Sequence, residues 1–229
     1  MKITYSTFSK TGKRHENQDV IKIFEDRDNG RYAFVLCDGM GGLSMGRMAA
    51  KIVAASIVRE ISGLEPNEEI DMASVISHTS MTFETMSEVY NDIKEGTTLG
   101  TTMVLAYIDG NTLAVAHCGD SRCYVYSKSK DPKYITKDHC EDGDMDSPLT
   151  RCFVSGFPQK AQPDLMTIKI ESGDRILLCS DGVYKWIYPD ILRDRMMDNK
   201  PMESIMDTFE YLCELNSNDN YSAILVKID

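Results

Sequence analysis

Five aspartates in this sequence stand where apolar, strand-like runs begin or end. Three runs, at 32–37, 112–118 and 175–180, lead into Asp38-Gly39, Gly119-Asp120 and Asp181-Gly182, while Asp19 and Asp219 stand just before two further runs. An acidic residue at the end of a buried strand is held near the edge of the core, where clustered negative charge is costly unless cations or hydrogen bonds compensate it. The recurrence of this pattern, more than any single Asp-Gly pair, indicates a functional site built from these aspartates.

If these aspartates converge, they form an oxygen-lined pocket of the kind that Mg²⁺ and Mn²⁺ select. The glycines at positions 39 and 182 allow sharp chain exits and let backbone carbonyl oxygens approach an ion. The alternative is that each Asp-Gly pair is only a turn, because this dipeptide is common at strand ends. The spacing of the residues does not decide between converging and separate aspartates.

The elements that must position these residues follow the order of an α+β protein. Strands are predicted at 1–9, 21–25, 32–37, 101–108, 112–118, 123–126, 165–170, 175–179 and 222–228, and helices at 44–61, 69–90, 187–197 and 202–215. Because the regular β-α alternation of a parallel sheet is missing, this order predicts a layered α+β domain with antiparallel hairpins. Residues 138–163 are predicted to form a surface loop whose acidic residues are Glu141, Asp142, Asp144 and Asp146.

Composition places the chain among ordinary globular proteins. It has 229 residues, with Lys+Arg 25 against Asp+Glu 36 and a net charge of −11, which suits one domain and argues against a general nucleic-acid-binding surface. The N-terminus has no apolar signal core, and no apolar run is long enough for a membrane span. Seven cysteines without CxxC spacing are interpreted as reduced thiols of a cytoplasmic protein, in preference to a disulfide framework or a zinc site.

Seven short motifs occur in one order along the chain. They are Arg14-x-x-Asn17-Gln18-Asp19, Asp38-Gly39-Met40-Gly41-Gly42, Gly100-Thr101-Thr102, Gly119-Asp120-Ser121-Arg122, Asp138-His139, Ser180-Asp181-Gly182 and Asp219-Asn220. In this order the chain resembles the metal-dependent protein phosphatase family (PPM, type 2C), particularly its bacterial branch, from residue 14 to residue 229. One Asp-Gly-x-Gly-Gly motif alone is weak evidence, whereas seven ordered motifs at domain-scale spacing are specific.

The resemblance implies a single phosphatase domain over residues 1–229, built as a four-layer α-β-β-α sandwich. In such a fold, helix pairs flank two central antiparallel sheets. The resemblance also implies that Asp38, the Gly39 carbonyl, Asp181 and Asp219 hold two Mn²⁺ or Mg²⁺ ions, partly through waters. Asp19 would act mainly through metal-bound water, and Asp120 matches the position that helps to hold a third ion in bacterial relatives.

The same resemblance implies a protein serine/threonine phosphatase. A hydroxide bridging the two ions would attack phosphorus directly, with Asp38 and Asp181 in the catalytic centre and Arg14 binding the substrate phosphate. The implied partners are phosphorylated proteins and a cognate Ser/Thr kinase, with no nucleic acid and no membrane, and the chain is expected to be a monomer. Two alternatives stay open: an inactive regulatory scaffold of the same fold, and a metallophosphoesterase acting on small molecules.

The chain departs from the family pattern at three places. Met40 stands where many eukaryotic members carry a histidine credited with protonating the leaving group, so a metal-bound water is the expected acid. Gln18 replaces an acid that is often found before Asp19. Only residues 140–148 remain of a longer flap, and this short acidic substitute predicts a more open site, or one completed by a partner.

Overall fold

The computed structural model describes residues 1–40, 45–65, 68–127, 131–141 and 147–229. Its strands are β1 (Ile3–Lys10), β2 (Val20–Asp26), β3 (Arg31–Cys37), β4 (Gly100–Thr101), β5 (Met103–Asp109), β6 (Thr112–Cys118), β7 (Arg122–Tyr126), β8 (Pro132–Ile135), β9 (Phe153–Val154), β10 (Asp164–Lys169), β11 (Arg175–Cys179) and β12 (Tyr221–Ile228). Its helices are α1 (Gly46–Ser62), α2 (Met72–Ile93), α3 (Asp181–Tyr184), α4 (Pro189–Met196) and α5 (Met202–Asn216). The predicted helix start at Ser44 and the acidic residues Asp142, Asp144 and Asp146 lie outside the described residues.

Two five-stranded sheets form the centre of the molecule. One has the strand order β1-β12-β11-β7-β8 and the other β10-β6-β5-β3-β2, and β4 pairs with β9 in a small third sheet. Every strand pair in the three sheets is antiparallel. Four pairs of consecutive strands are neighbours, as expected for hairpins: β2–β3, β5–β6, β7–β8 and β11–β12. Strand β12 also pairs with β1, so it lies between β1 and β11.

Strand β3 shows how the sequence builds the layers. All seven of its residues are buried, and side chains alternate between the two faces of a strand. Phe34 and Leu36 face the opposite sheet and pack in the cluster that contains Ile224 and Val226. Val35 and Cys37 face the other way, in the cluster formed with α1 and α2. A strand covered on both faces requires the continuous apolar run that the sequence has here.

Helices cover the outer face of each sheet. Helices α1 and α2 pack against each other and on the sheet that contains β3. Helices α3, α4 and α5 cover the other sheet, where Leu192, Phe209 and Leu225 share one core cluster. The predicted α+β, four-layer α-β-β-α sandwich is therefore confirmed. No helix among the described residues has both the length and the apolar character that a membrane crossing requires.

The predicted surface loop at 138–163 contains more structure than the sequence indicates. Strand β9 lies within it and pairs with β4, and a short 3-10 turn follows at Pro158–Lys160. The reason is Phe153, which is fully buried and contacts the ring of Phe83 edge to face, with ring centroids 5.9 Å apart. One buried aromatic side chain fixes this segment to the core, although the segment has no periodic apolar pattern.

The register of the sheets brings several strand ends to one edge of the sandwich. The start of β2 is opposite the end of β3, at Val20 and Cys37. The end of β11 is opposite the start of β12, through Cys179 and Ala223. The residues that continue these strands, which include four of the five aspartates singled out above, are therefore brought to the same edge.

Candidate metal centre

A cavity of about 490 Å³ opens at this edge of the sandwich. Its lining consists of Arg14, His15, Glu16, Gln18, Asp38, Gly39, Met40, Thr102, Asp120, Leu149, Asp181, Asp219 and Asn220. The predicted site residues Arg14, Asp38, Gly39, Asp120, Asp181 and Asp219 are all in this set. Asp19 does not line the cavity, and is buried instead beside Ser180.

The backbone of Asp38 is held by Thr101, the last residue of β4, and by Thr102, which follows it. The backbone N–H of Thr102 donates to the Asp38 carbonyl at 2.9 Å, and the Thr101 hydroxyl donates to the same oxygen at 2.8 Å. In return, the Asp38 N–H donates to the Thr102 hydroxyl oxygen at 3.1 Å. The Thr102 and Ser121 hydroxyl oxygens are 2.7 Å apart, which couples Asp38 to the turn that carries Asp120.

Asp181 and Asp219 are brought together by a close backbone approach at Gly182. A Cβ atom on Gly182 would lie 1.9 Å from the backbone oxygen of Asn220, far inside van der Waals contact. The Ser180 N–H donates to the Ser222 carbonyl at 3.0 Å on the other side of Asp181. Only glycine permits this spacing, so the residue type at 182 determines how near the two carboxylates can be.

Asn220 holds the Arg14 segment against the cavity. Its Nδ2 donates to the carbonyl oxygens of Thr11 and Glu16 at 2.8 Å and 2.9 Å, and its Oδ1 accepts from the Gln18 N–H at 2.9 Å. Arg14 itself forms an ion pair with Asp219, with 2.7 Å between Nη2 and Oδ2. The Arg14 side chain is half exposed at the cavity, so its guanidinium can also reach an anion that enters there.

Asp19 is a buried carboxylate with half of its hydrogen-bonding capacity unused. Its Oδ2 accepts from the Ser180 hydroxyl at 2.9 Å, whereas its Oδ1 has no hydrogen-bond partner among the described residues. Burial, opposed by hydrogen bonds from Ser222 and Ser180, raises the pKa of Asp19 to about 6. A buried carboxylate oxygen without a hydrogen-bond partner indicates that a cation completes the site.

The pKa values of two neighbouring aspartates are raised as well. Burial, and then the charges of Asp19 and Asp181, raises the pKa of Asp38 well above its ordinary value. Burial, followed by the charge of Asp181, raises the pKa of Asp120 to about 7. These shifts measure how unfavourable it is to ionise several carboxylates in one poorly solvated place.

Two side-chain cations partly compensate these acids. Besides Arg14, Lys185 forms an ion pair with Asp181, with 3.1 Å between Nζ and Oδ2. Because Lys185 lies four residues after Asp181, both side chains are on the same side of the helical turn at α3. Two cations against five aspartates leave three negative charges uncompensated when all five ionise.

The donor set fits Mg²⁺ or Mn²⁺, which prefer carboxylate and carbonyl oxygens. Two divalent ions would bring four positive charges, enough to compensate the three remaining negative charges of the aspartates. Nevertheless, no three His, Cys, Asp or Glu side chains in the described parts of the chain form a compact metal-binding cluster. Arg14 and Lys185 pair with Asp219 and Asp181, two of the carboxylates that would hold the ions. Entering cations must therefore compete with these two side chains.

Sequence reasoning did not identify Thr102, Asn220 or Lys185 as contributors to the site. Thr102 and Asn220 occur in the quoted motifs, but their role is to hold backbone segments and cannot be read from residue type. Lys185 did leave a signal, because a lysine four residues after an acid at a helix start is positioned to pair with it. That spacing could have predicted a cation inside the acidic pocket.

The two ends of the predicted flap segment, residues 140–148, are bonded to each other. Cys140 and Leu149 form an isolated β-bridge, and the Glu141 N–H donates to the Pro148 carbonyl at 3.1 Å. Leu149 then lines the cavity. The Asp138-His139 motif stands just before this segment, and His139 accepts from the Gly119 N–H through Nδ1 at 3.2 Å. His139 thus holds the turn before Asp120 and is absent from the cavity lining.

Comparisons with known proteins agree with this geometry. The sequence model of the protein phosphatase 2C family matches residues 9–228. The protein phosphatase PhpP of Streptococcus pneumoniae is 27% identical, over 95% of this chain and 94% of its own length. The crystal structure of the serine/threonine phosphatase Stp1 from Staphylococcus aureus superimposes with a TM-score of 0.81 at 25% identity, covering 100% of this chain and 96% of that one.

A third similar structure contains metal. It is the catalytic domain of the serine/threonine protein phosphatase PstP in complex with two manganese ions, with a TM-score of 0.78 at 21% identity. The two chains cover 99% of each other. At this level of identity, the similarity establishes a common fold.

Proposed function

Because the chain belongs to the protein phosphatase 2C family, we propose that it is a metal-dependent enzyme that removes phosphate from phosphoserine and phosphothreonine in proteins. The observation that carries this proposal is the single cavity in which Arg14 meets Asp38, Asp120, Asp181 and Asp219. The phosphatase names of the relatives supply the substrate class.

The metal-holding role falls to the aspartates of the cavity. Asp38, Asp181, Asp219 and the Gly39 carbonyl would hold Mn²⁺ or Mg²⁺, with Asp19 behind them. When bound there, the divalent ions supply positive charge that activates water and neutralises charge on the transferring phosphoryl group. Retention of all these carboxylates gives no support to an inactive scaffold, which would be free to lose them.

Arg14 would bind the substrate phosphate. Its guanidinium presents paired donors that match two phosphate oxygens, and it is always charged. One of these donors, Nη2, is directed to Asp219 in the structure. A phosphate that enters the cavity would therefore exchange one anion for another at Arg14, and would release Asp219 to a cation.

Met40 lines the cavity and has no proton to give. The side chain at position 40 therefore cannot protonate the serine or threonine alkoxide that leaves, and this role would fall to water. The open cavity gives water free access to the reaction, so no buried proton relay through the protein is required.

We propose that the protein acts in a reducing compartment on the products of a kinase. The seven cysteines are all free and six are buried, which suits a reducing compartment such as the cytoplasm. The substrates would be the products of a Ser/Thr kinase. We take the chain as one catalytic domain, with residues 140–148 as a shortened flap, and as a monomer.

The test is hydrolysis of a phosphothreonine peptide by the purified protein with Mn²⁺, with Mg²⁺ and with excess EDTA. Turnover should require a divalent ion, and Asp181→Asn should abolish it with little loss of fold. Asp194→Asn is the matched control, because that side chain is 72% exposed on α4. Turnover in EDTA, or near wild-type activity of Asp181→Asn, would refute the assignment. Comparing phosphopeptides with small phosphoesters separates the protein phosphatase from a small-molecule phosphoesterase.

A further inference from the structure

A second cavity, of about 360 Å³, lies directly beside the catalytic cavity. We call it the basic side pocket, and its lining consists of Glu16, Gln18, Met45, Arg47, Met48 and Lys51. Glu16 and Gln18 also line the catalytic cavity. These two residues therefore form a common wall, so a polypeptide whose phosphorylated residue occupies the first cavity can extend past the second.

The basic side pocket carries available positive charge. Arg47 and Lys51 are one helical turn apart on α1, so both point to the same side. Lys51 is exposed, and its side chain makes no hydrogen bond or ion pair with any described residue. Arg47 pairs with Glu16 at 3.3 Å, but both side chains are about half exposed. Ion pairs of this kind are weak and readily exchanged.

Two methionines give the pocket an apolar part. Met45 and Met48 are partly buried and pack against the core beneath α1. The Tyr90 hydroxyl donates to the Met48 sulfur at 3.3 Å, which fixes Met48 from the side of α2. Two cations against the one acid of the lining, Glu16, leave the pocket a net positive charge. With its apolar wall, the pocket suits a short side chain that has methylene groups and a terminal carboxylate.

We propose that the basic side pocket binds the carboxylate of an acidic residue close to the phosphorylated residue of the substrate. This inference rests on the proposed phosphatase function. The chain has a net charge of −11 and an acidic catalytic cavity, which repel acidic polypeptides in general. Arg47 and Lys51 reverse the sign of the charge locally, so they select acidic sequences at one position near the phosphate.

The shared wall limits where that acidic residue can be. Successive residues of an extended chain advance by about 3.3 Å. A side chain that enters an adjoining cavity therefore belongs to a residue within about four positions of the phosphorylated one. The two cavities alone do not fix the direction of the peptide, so acidic residues on both sides must be compared.

The experiment uses phosphothreonine peptides with an all-alanine background and a single glutamate at each position from −4 to +4. For the wild-type protein, kcat/KM should rise about fivefold with glutamate at one or two adjacent positions on one side of the phosphothreonine. The ratio of glutamate peptide to alanine peptide should fall as salt is raised, because the contacts are exposed.

Two variants make the test specific. In Arg47→Ala/Lys51→Ala this ratio should fall to about one, while Lys51→Glu should favour a lysine at the same position of the peptide. Arg59→Ala is the matched control, since Arg59 is exposed on the same helix. It lies about 18 Å from Arg47 along the helix axis. The control variant should leave the ratio unchanged.

The possible results distinguish failure of the basic side pocket from failure of the phosphatase function. Hydrolysis of every peptide with a ratio near one at all positions overturns the basic side pocket and leaves the phosphatase function standing. A fivefold preference that survives in Arg47→Ala/Lys51→Ala also overturns it, because the preference then arises elsewhere. Failure to hydrolyse any peptide with either metal overturns the phosphatase function, and the inference with it.

Discussion

Replacing Asp120 by asparagine should stabilise the metal-free protein. Asp120 is only 9% exposed, and burial, followed by the charge of Asp181, raises its pKa from 3.8 to about 7. Asparagine has nearly the same shape and no charge, so the variant avoids the cost of an ionised, poorly solvated carboxylate. The difference between these two pKa values corresponds to about 4 kcal/mol of unfolding free energy once both states are ionised.

The pH dependence of this gain has a definite sign. The folded protein holds the Asp120 proton more tightly than the unfolded chain does, because the pKa of Asp120 is raised from 3.8 to about 7. Ionisation of Asp120 therefore does not lower the free energy of unfolding below pH 3.8, and lowers it by the full difference above pH 7. The unfolding free energy of the wild type therefore falls, relative to that of Asp120→Asn, as the pH rises through this window. Between pH 5 and pH 8 the gap should widen by about 2 to 3 kcal/mol.

The assay is urea unfolding in EDTA at pH 5 and pH 8, for the wild type, Asp120→Asn and the exposed control Asp194→Asn. Added Mn²⁺ should then stabilise the wild type more than Asp120→Asn, because the cation binds to charge that the variant lacks. A gap that is the same at both pH values would refute the electrostatic reasoning. So would a variant that is less stable than the wild type at pH 8.

Three further substitutions test other parts of the site. Arg14→Ala should raise KM for a phosphopeptide about tenfold, with a smaller change in kcat, because a ground-state phosphate contact is lost; a collapsed kcat at constant KM would instead place the guanidinium in the transition state. Gly182→Ala should lower the midpoint of thermal unfolding by more than about 5 °C, because its Cβ would lie 1.9 Å from the Asn220 oxygen; an unchanged midpoint in calorimetry would contradict the close approach. Lys185→Met should tighten Mn²⁺ binding about tenfold by titration calorimetry, since a competing ammonium is removed, and equal affinities would show that it does not compete.

Much of the fold could be predicted because its strands and helices have different periods. The apolar run at 32–37, which lies in β3, and the Asn29-Gly30 turn before it identify a buried strand in a hairpin. The four-layer arrangement came from the resemblance, since element order alone predicts only a layered α+β domain. Strand β9 was missed, because it depends on one buried phenylalanine and leaves no repeated pattern.

The candidate site was predictable in its residue types but not in its contacts. Aspartates at strand ends and an arginine in a recognisable motif can be read along the chain. The bonds from Asn220 to Thr11 and Glu16, however, join positions 209 and 204 residues apart. Such contacts depend on sheet register and on close backbone approach, and residue type gives no local sign of either. The roles of the individual metal-holding residues remain predictions for the experiments above.

The pairing of β1 with β12 sets the order in which a newly made chain can become active. Arg14 leaves the ribosome long before Asn220 and Asp219, which hold its segment in place, because Asp219 is made 205 residues later. The eight-residue ladder from Ile3 to Lys10 is likewise completed only by β12. A nascent chain therefore carries four of the five candidate site aspartates before Arg14 can be held at the cavity. Contacts between such distant segments also slow folding, so activity during synthesis should appear late and in one step.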